Sequence, residues 1–148
     1  MDITKYDNIT LPTSDTWGVL MRKDSPLAKF KTVKLENLKN LPLITSRQVT
    51  KKSQNNDYTK WFQGKFETLN IVATYNLIYN AALLVKFGIG YAVALDRLAD
   101  TSSESELCFR PFEPKLEAKL DIVWNKFQVR SAATNLFLQK LQEKFECP

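Results

Sequence analysis

Histidine is absent from this chain of 148 residues, and cysteine nearly so, at two. Without an imidazole there is no Ser-His-Asp or Cys-His arrangement for nucleophilic catalysis, and a Cys/His zinc site lacks its ligands. Cys108 and Cys147 lie too far apart in sequence for a Cys-x-x-Cys redox pair. Cys108 falls inside an apolar strand pattern and reads as a buried thiol, while Cys147 is next to last and reads as exposed. A reducing, cytoplasmic setting fits that usage. Glycine is scarce as well, at four residues. Gly88 and Gly90 follow a helical pattern and precede a strand pattern, the reverse of the order a dinucleotide fingerprint needs. No Gly-Lys-Ser phosphate loop and no Gly-x-Ser-x-Gly elbow occurs.

Long apolar runs are missing too. Met1-Asp2-Ile3-Thr4-Lys5-Tyr6-Asp7 has no apolar core of the signal-peptide kind, and no later stretch approaches membrane-spanning length. A soluble chain with no membrane partner is expected. The net charge of +5 and the pI near 9.2 come from scattered Lys and Arg, with no run longer than Lys51-Lys52. Scattered cations are a poor footprint for direct nucleic-acid contact. Glu104 and Glu106 fall in a polar loop and Glu113 between two prolines, where carboxylates are solvated rather than set in a cleft. Nothing in this inventory supports catalysis. No catalytic residue, metal site or cofactor is expected, and the chain reads as a non-enzyme.

What is present suits one globular domain: 44% hydrophobic and 25% charged residues, enough to bury a core. The chain is organised around residues 74–95. Leu77, Ala81, Leu84 and Val85, with Ile78 and Ala82 beside them, recur at three- and four-residue steps, and Lys86 is the only full charge in the stretch. This pattern predicts a helix covered on most sides, followed by a buried strand. Gly88 stands where a left-handed cap is wanted, and Lys86 lies in the last turn, where a cation suits the helix dipole. Upstream, Ile71-Val72-Ala73-Thr74 reads as a strand running straight into that helix. Thr74, Tyr75 and Asn76 then fall at the helix start, with no acid in the first turn to cancel its positive end. Two roles stay open for Thr74 and Asn76: a cap for the helix, or contacts to a small anionic or polar ligand.

Ile9-Thr10-Leu11 and residues 17–22 read as strands, or as two halves of one bent strand. Pro26 marks a helix start, and Leu35-Glu36-Asn37-Leu38-Lys39 is a short amphipathic turn ended by Pro42. Leu43-Ile44-Thr45-Ser46 is a buried strand that delivers Ser46, Arg47 and Gln48 into a polar, exposed loop reaching Asp57. Residues 58–63 form a short helix carrying Trp61 and Phe62 as core anchors, with Gly64 as terminator. Residues 96–106 are a polar loop. Leu107-Cys108-Phe109-Arg110 is a strand ended by Pro111, and residues 120–127 a longer strand with Leu120, Ile122 and Trp124 on one face. Ser131 caps a final helix whose stripe is Phe137, Leu138, Leu141 and Phe145. Strands separated by helices, three times over, imply an α/β chain with a parallel sheet flanked by helices.

Five pieces, in order, carry a more specific likeness. They are Trp17-Gly18-Val19-Leu20-Met21-Arg22-Lys23-Asp24-Ser25-Pro26-Leu27-Ala28; residues 35–44, ending Leu41-Pro42-Leu43-Ile44; Val85-Lys86-Phe87-Gly88-Ile89-Gly90-Tyr91-Ala92; Phe109-Arg110-Pro111-Phe112-Glu113-Pro114; and residues 120–124 followed by Ser131-Ala132-Ala133. Together they resemble the effector-binding domain of the LysR-type transcriptional regulators. The resemblance implies a two-lobed, periplasmic-binding-protein-like (type 2) fold with a mostly parallel central sheet. It assigns 1–16 to the last strand of lobe one and the first crossover, 17–119 to the second lobe, and 120–148 to the return strand and final helix of lobe one. Hinges are implied near 15–18 and 119–122. The family's winged helix-turn-helix and first lobe-one elements have no counterpart here, so the chain is expected to be a fragment, touching DNA only through the absent helix-turn-helix domain of its parent.

The family's effector sits between the lobes, and the matching positions here are Ser46, Arg47, Thr74, Tyr75 and Asn76, which implies a small polar or anionic effector. Family dimers imply self-association into a homo-oligomer, through pairing of strand 9–11 or strand 120–127 across copies. The competing reading is a solute-binding module of the same fold type without a regulatory role.

Overall fold

The computed structural model describes residues 3–50 and 57–145. The two short runs expected near 9–11 and 17–22 join into a single 17-residue strand, β1 (Tyr6–Arg22). Ser25 then opens the 3-10 turn Pro26–Lys29, its hydroxyl accepting from the Leu27 N–H at 3.2 Å. A second 3-10 turn, Leu35–Leu38, leads into β2 (Leu43–Ser46). There follow α1 (Arg47–Thr50), α2 (Asp57–Trp61), a 3-10 turn Phe66–Thr68, β3 (Ile71–Tyr75), α3 (Ile78–Lys86), β4 (Tyr91–Leu95), β5 (Leu107–Pro111), β6 (Glu117–Asn125) and α4 (Ala132–Phe145). The polar stretch expected to be one loop from Gln48 to Asp57 is therefore helical at its described ends, and its middle, 51–56, lies outside the described residues.

The chain divides into two compact units, Met1–Ser14 with Lys119–Pro148, and Asp15–Ala118. The larger unit is built on a sheet of order β3-β2-β4-β1-β5. β2 pairs in parallel with β3 and β4, while β1 is antiparallel to β4 and β5. Every strand but β1 thus runs one way, which is the mostly parallel sheet expected, with one reversed member. Leu43, Ile44 and Thr45 are all buried, as a strand covered on both faces requires. The faces divide by parity: Val19, Met21 and Leu43 join Phe62, Trp61 and Phe112 in one core, whereas Leu20 and Ile44 join Ala81, Val85 and Leu107 in the other. In the first core Trp61 stacks on Phe112 with ring centroids 3.9 Å apart and donates its indole N–H to the Pro114 carbonyl at 2.7 Å. Trp61 at the end of α2 and Phe62 just after it are the core anchors expected of them.

α3 departs from expectation. Ala81 and Val85 are fully buried, but Leu77, Tyr79, Leu83 and Phe87 are exposed, Tyr79 by 71% and Phe87 by 76%. The unit lays one sheet face against this helix and nothing against the other side, so the apolar positions outside the 3.6-residue stripe of Ala81 and Val85 stay uncovered. Its stop signal works as read. Gly88 has φ 76°, its N–H reaches the Val85 carbonyl at 2.9 Å, and the Ile89 N–H reaches Leu84 at 3.0 Å, a Schellman closure. Lys86 pairs with Glu106 at 3.1 Å.

Two contacts hold β5. A Cβ on Gly18 would run into the Arg110 carbonyl oxygen and meet the Pro111 Cα at 2.9 Å, so only glycine lets β1 and β5 approach here. The Arg110 guanidinium donates to the carbonyls of Ala28 at 2.9 Å, Phe30 at 2.8 Å and Phe109 at 2.9 Å. It works as a clamp on backbone.

In the smaller unit the start of β1 pairs with β6. Thr10 donates to Asp121 at 2.6 Å and the Lys126 N–H to Lys5 at 3.0 Å, so partners move in opposite directions along the chain and the ribbon is antiparallel. The two strands expected to support self-association pair with each other, each along one edge. Ser131 caps α4 as read, accepting from the Thr134 N–H at 3.2 Å. Leu138, Leu141 and Phe145 are half-buried, Phe137 is 61% exposed, and Ile9 alone among the unit's described hydrophobic residues is buried.

Gly88→Ala is expected to cost about 1 kcal/mol, the usual penalty for a side chain in left-handed backbone. Gly18→Ala costs more, because backbone of β5 must move. Denaturant midpoints that ranked the two in the opposite order would contradict this account of the β1–β5 contact.

Candidate functional site

Two strand ends make the site. β2 and β3 run in parallel with Thr45 opposite Thr74 and Ser46 opposite Tyr75. Their carboxyl ends therefore finish side by side, about 4.8 Å apart in the hydrogen-bonding direction. β2 turns at once into α1 at Arg47, and β3 passes through Asn76 and Leu77 into α3. In open α/β sheets the carboxyl ends of the strands are where ligands are held. Ser46 is half-buried, Arg47, Thr74 and Asn76 are exposed, and Tyr75 is buried. The structure thus gathers all five residues expected to form the site at one end of the β2–β3 pair.

Their roles are not all as expected. α3 begins at Ile78 with Leu77 as its cap residue and no side-chain cap hydrogen bond. Neither Thr74 nor Asn76 caps it. The reason is that β3 continues through Tyr75, whose side chain sinks into the core and donates its hydroxyl to the Val93 carbonyl at 2.9 Å. Thr74 is held as a strand residue beside Thr45. The helix start carries neither an acidic residue in its first turn nor a side-chain cap, so its positive end stays available to an anion. Tyr75 fixes the strand end, and its hydroxyl is already engaged.

Some residues near this end gave no sequence signal. Thr45 is the one buried polar residue among those described, its hydroxyl donating to the Ser46 carbonyl at a long 3.4 Å. Tyr58 of α2 is buried edge-on to Trp17, ring centroids 4.7 Å apart, and its hydroxyl lies toward Thr45 without closing a hydrogen bond of normal geometry. Burial pushes its phenol far above the ordinary value. At the end of β4, Asp96 exchanges two hydrogen bonds of 2.8 Å with the Thr16 backbone, and Arg97, in left-handed backbone at φ 60°, pairs with Asp15 at 2.7 Å. These contacts pin residues 15–16 to β4 across about eighty residues of sequence. No local pattern announces them. Among the described residues no three His, Cys, Asp or Glu side chains gather to hold a metal ion, and no helix is long and apolar enough to cross a membrane.

A family model described as the LysR substrate binding domain matches residues 9–146. The chain belongs to the LysR substrate-binding domain family. Its fold is accordingly of the periplasmic-binding-protein type 2. Among solved structures it is similar to the cofactor-binding domain of the Cbl transcriptional regulator, at 16% identity and TM-score 0.74, over 97% of this chain and 66% of that one. The effector-binding domain of QuiR in complex with shikimate is similar at 14% identity and TM-score 0.71, over 98% and 68%. HinK, a LysR family transcriptional regulator from Pseudomonas aeruginosa, is similar at 15% identity and TM-score 0.69, over 96% of this chain but 50% of HinK. At these identities the likeness is one of fold. This LysR substrate-binding chain spans about half to two thirds of the length of the structures it resembles. No curated protein matches it significantly in sequence.

Burial lifts the Tyr75 phenol from 10.0 to about 12. The unfolded chain releases that proton near pH 10 while the folded chain keeps it, so stability falls as pH rises from about 10 toward 12. Tyr75→Phe removes this share of the fall. At neutral pH the same change strands the Val93 carbonyl and costs about 1–3 kcal/mol, measurable by denaturant unfolding.

Proposed function

We propose that this chain is the effector-sensing part of a LysR-type transcriptional regulator, with residues 17–119 as its second lobe and residues 1–16 and 120–148 as parts of the first. The observation that carries the reading is the register placing Ser46 beside Tyr75, which brings Arg47, Thr74 and Asn76 to one strand end next to an uncapped helix start. A small polar or anionic effector is held there. Arg47 supplies the cation, Ser46 and Thr74 hydroxyl groups, Asn76 an amide, and the start of α3 its open N–H groups. Tyr75 shapes the floor. The similar QuiR domain, complexed with shikimate, supports a small-molecule effector for this fold.

In the parent protein the effector favours one arrangement of the lobes and so shifts the spacing of helix-turn-helix domains outside this chain. The role is sensing rather than catalysis, in the cytoplasm. Self-association belongs to the same reading. Besides strands 9–11 and 120–127, the surface that supports it is the outer side of α3, where Tyr79, Leu83 and Phe87 recur at four-residue steps and are exposed.

A thermal-shift panel of small carboxylates, amino acids and inorganic anions tests the site. A ligand at a hundred times its Kd stabilises the chain by about 2.7 kcal/mol. Thr74→Ala and Arg47→Ala each remove a large part of that gain, and a ligand that stabilises all three proteins equally places the site elsewhere. Sedimentation tests the association: the chain forms dimers that Phe87→Glu dissociates, and a wild-type monomer at high concentration defeats this part of the reading.

A further inference from the structure

At the opposite end of the same strands the larger unit has a second concavity. Residues 34–40 precede β2 and residues 63–69 precede β3, so the parallel pairing brings these segments together at the amino ends of the strands, away from Ser46 and Thr74. Between them, flanked by Glu113 and Pro114, lies a cavity of about 350 Å³. That volume falls within the range of small-molecule sites, roughly 300–1,000 Å³. One wall is rigid, because Trp61 is held by its stacking on Phe112 and its 2.7 Å hydrogen bond to Pro114.

The basic and amide side chains of the lining are unpartnered among the described residues. Lys34, Lys39 and Lys65 line the cavity, and among the described residues none of their ammonium groups meets a carboxylate or any other acceptor. The side-chain amides of Asn40 and Gln63 line it too, and they make no hydrogen bond among the described residues. Both stand in left-handed backbone, φ 62° and 53°, a conformation that costs non-glycine residues energy. Two acids share the lining: the Glu113 carboxylate takes the Thr32 hydroxyl, and Glu36 is left to accept from a ligand donor. Positive charge is therefore in surplus, three lysines against two carboxylates, and the Asn40 and Gln63 amides can each donate as well as accept. That complement fits a small molecule carrying two or more anionic groups and a hydroxyl.

We propose that this cavity is a second binding site, separate from the strand-end effector site, for a small polyanion bearing carboxylate or phosphate groups. The surplus of cations provides the attraction, and the fixed indole and the two amides set the shape. Lysine suits such a site as a mobile point charge rather than a bidentate fork.

The test is a titration of the chain with citrate and, separately, with inorganic pyrophosphate, at constant ionic strength, followed by amide resonances. Saturable shifts at Lys39, Asn40, Gln63 and Lys65 are expected, and whichever probe binds more tightly identifies the anion class. A Lys34→Gln/Lys65→Gln double variant, whose otherwise unchanged spectrum reports an intact fold, weakens binding at least tenfold. Thr74→Ala leaves it within twofold. The proposal is overturned if sodium chloride or sulfate alone reproduces the shifts, if they rise linearly without saturating, or if the double variant binds like the wild type. Saturable shifts confined to Ser46 and Thr74 would also overturn it, while supporting the strand-end site.

Discussion

The parallel pairing of β2 with β3 decides where everything else in the larger unit can be. A parallel pair cannot be closed by a tight turn, so the chain must leave the carboxyl end of β2 and return to the amino end of β3. Residues 47–70 make that return, and on the way α2 buries Tyr58 and Trp61 while Phe62 follows it into the core. The same geometry creates two poles. One carries the strand ends with Ser46, Arg47, Thr74 and Asn76, and the other gathers the segments that precede the strands, with Lys34, Lys39 and Lys65. Both poles are consequences of one register.

β1 is the second constraint. It lies antiparallel between β4 and β5, and its 17 residues run through both units. A strand so placed has to fit on both sides, which explains why Gly18 admits no side chain against Arg110 and Pro111. It also has to be fixed where it enters the larger unit. The Asp96–Thr16 backbone exchange and the Arg97–Asp15 pair do this at the end of β4. Exposed ion pairs contribute little to stability on average. Their value here is positional, since they join the segment entering the unit to the strand that neighbours β2.

Much of the fold was legible because its signals are local. Gly88 after an apolar helical stretch, Ser131 ahead of the final helix, Pro26 after Ser25, and the alternation of Leu120, Ile122 and Trp124 each act within a few residues, and each element appears there, the strand read at 120–127 running from Glu117 to Asn125. The start of α3 was misplaced for the complementary reason. Thr74 is a good cap by type, but the pairing of Thr74 with Thr45 and the bond from Tyr75 to Val93 keep both residues in the strand, and those partners are distant in sequence. Helical periodicity likewise identified the apolar residues of α3 without saying which of them would find a neighbour. Tyr79 and Phe87 found none within the unit.

The sequence by itself determined the class of chain, the order of its strands and longer helices, and the residue types available at the strand ends. It also excluded histidine chemistry and the common phosphate loops, because these need residues or spacings that are simply absent. Tertiary structure alone decided that Tyr75 turns inward while Thr74 stays exposed, that Arg110 is spent on backbone carbonyls, and that Lys34, Lys39 and Lys65 share one cavity. The physical reason is common to all three. Capping, turn and periodicity preferences are energies between near neighbours in the chain, whereas burial, strand register and the pairing of charge are set by groups that only folding brings within reach.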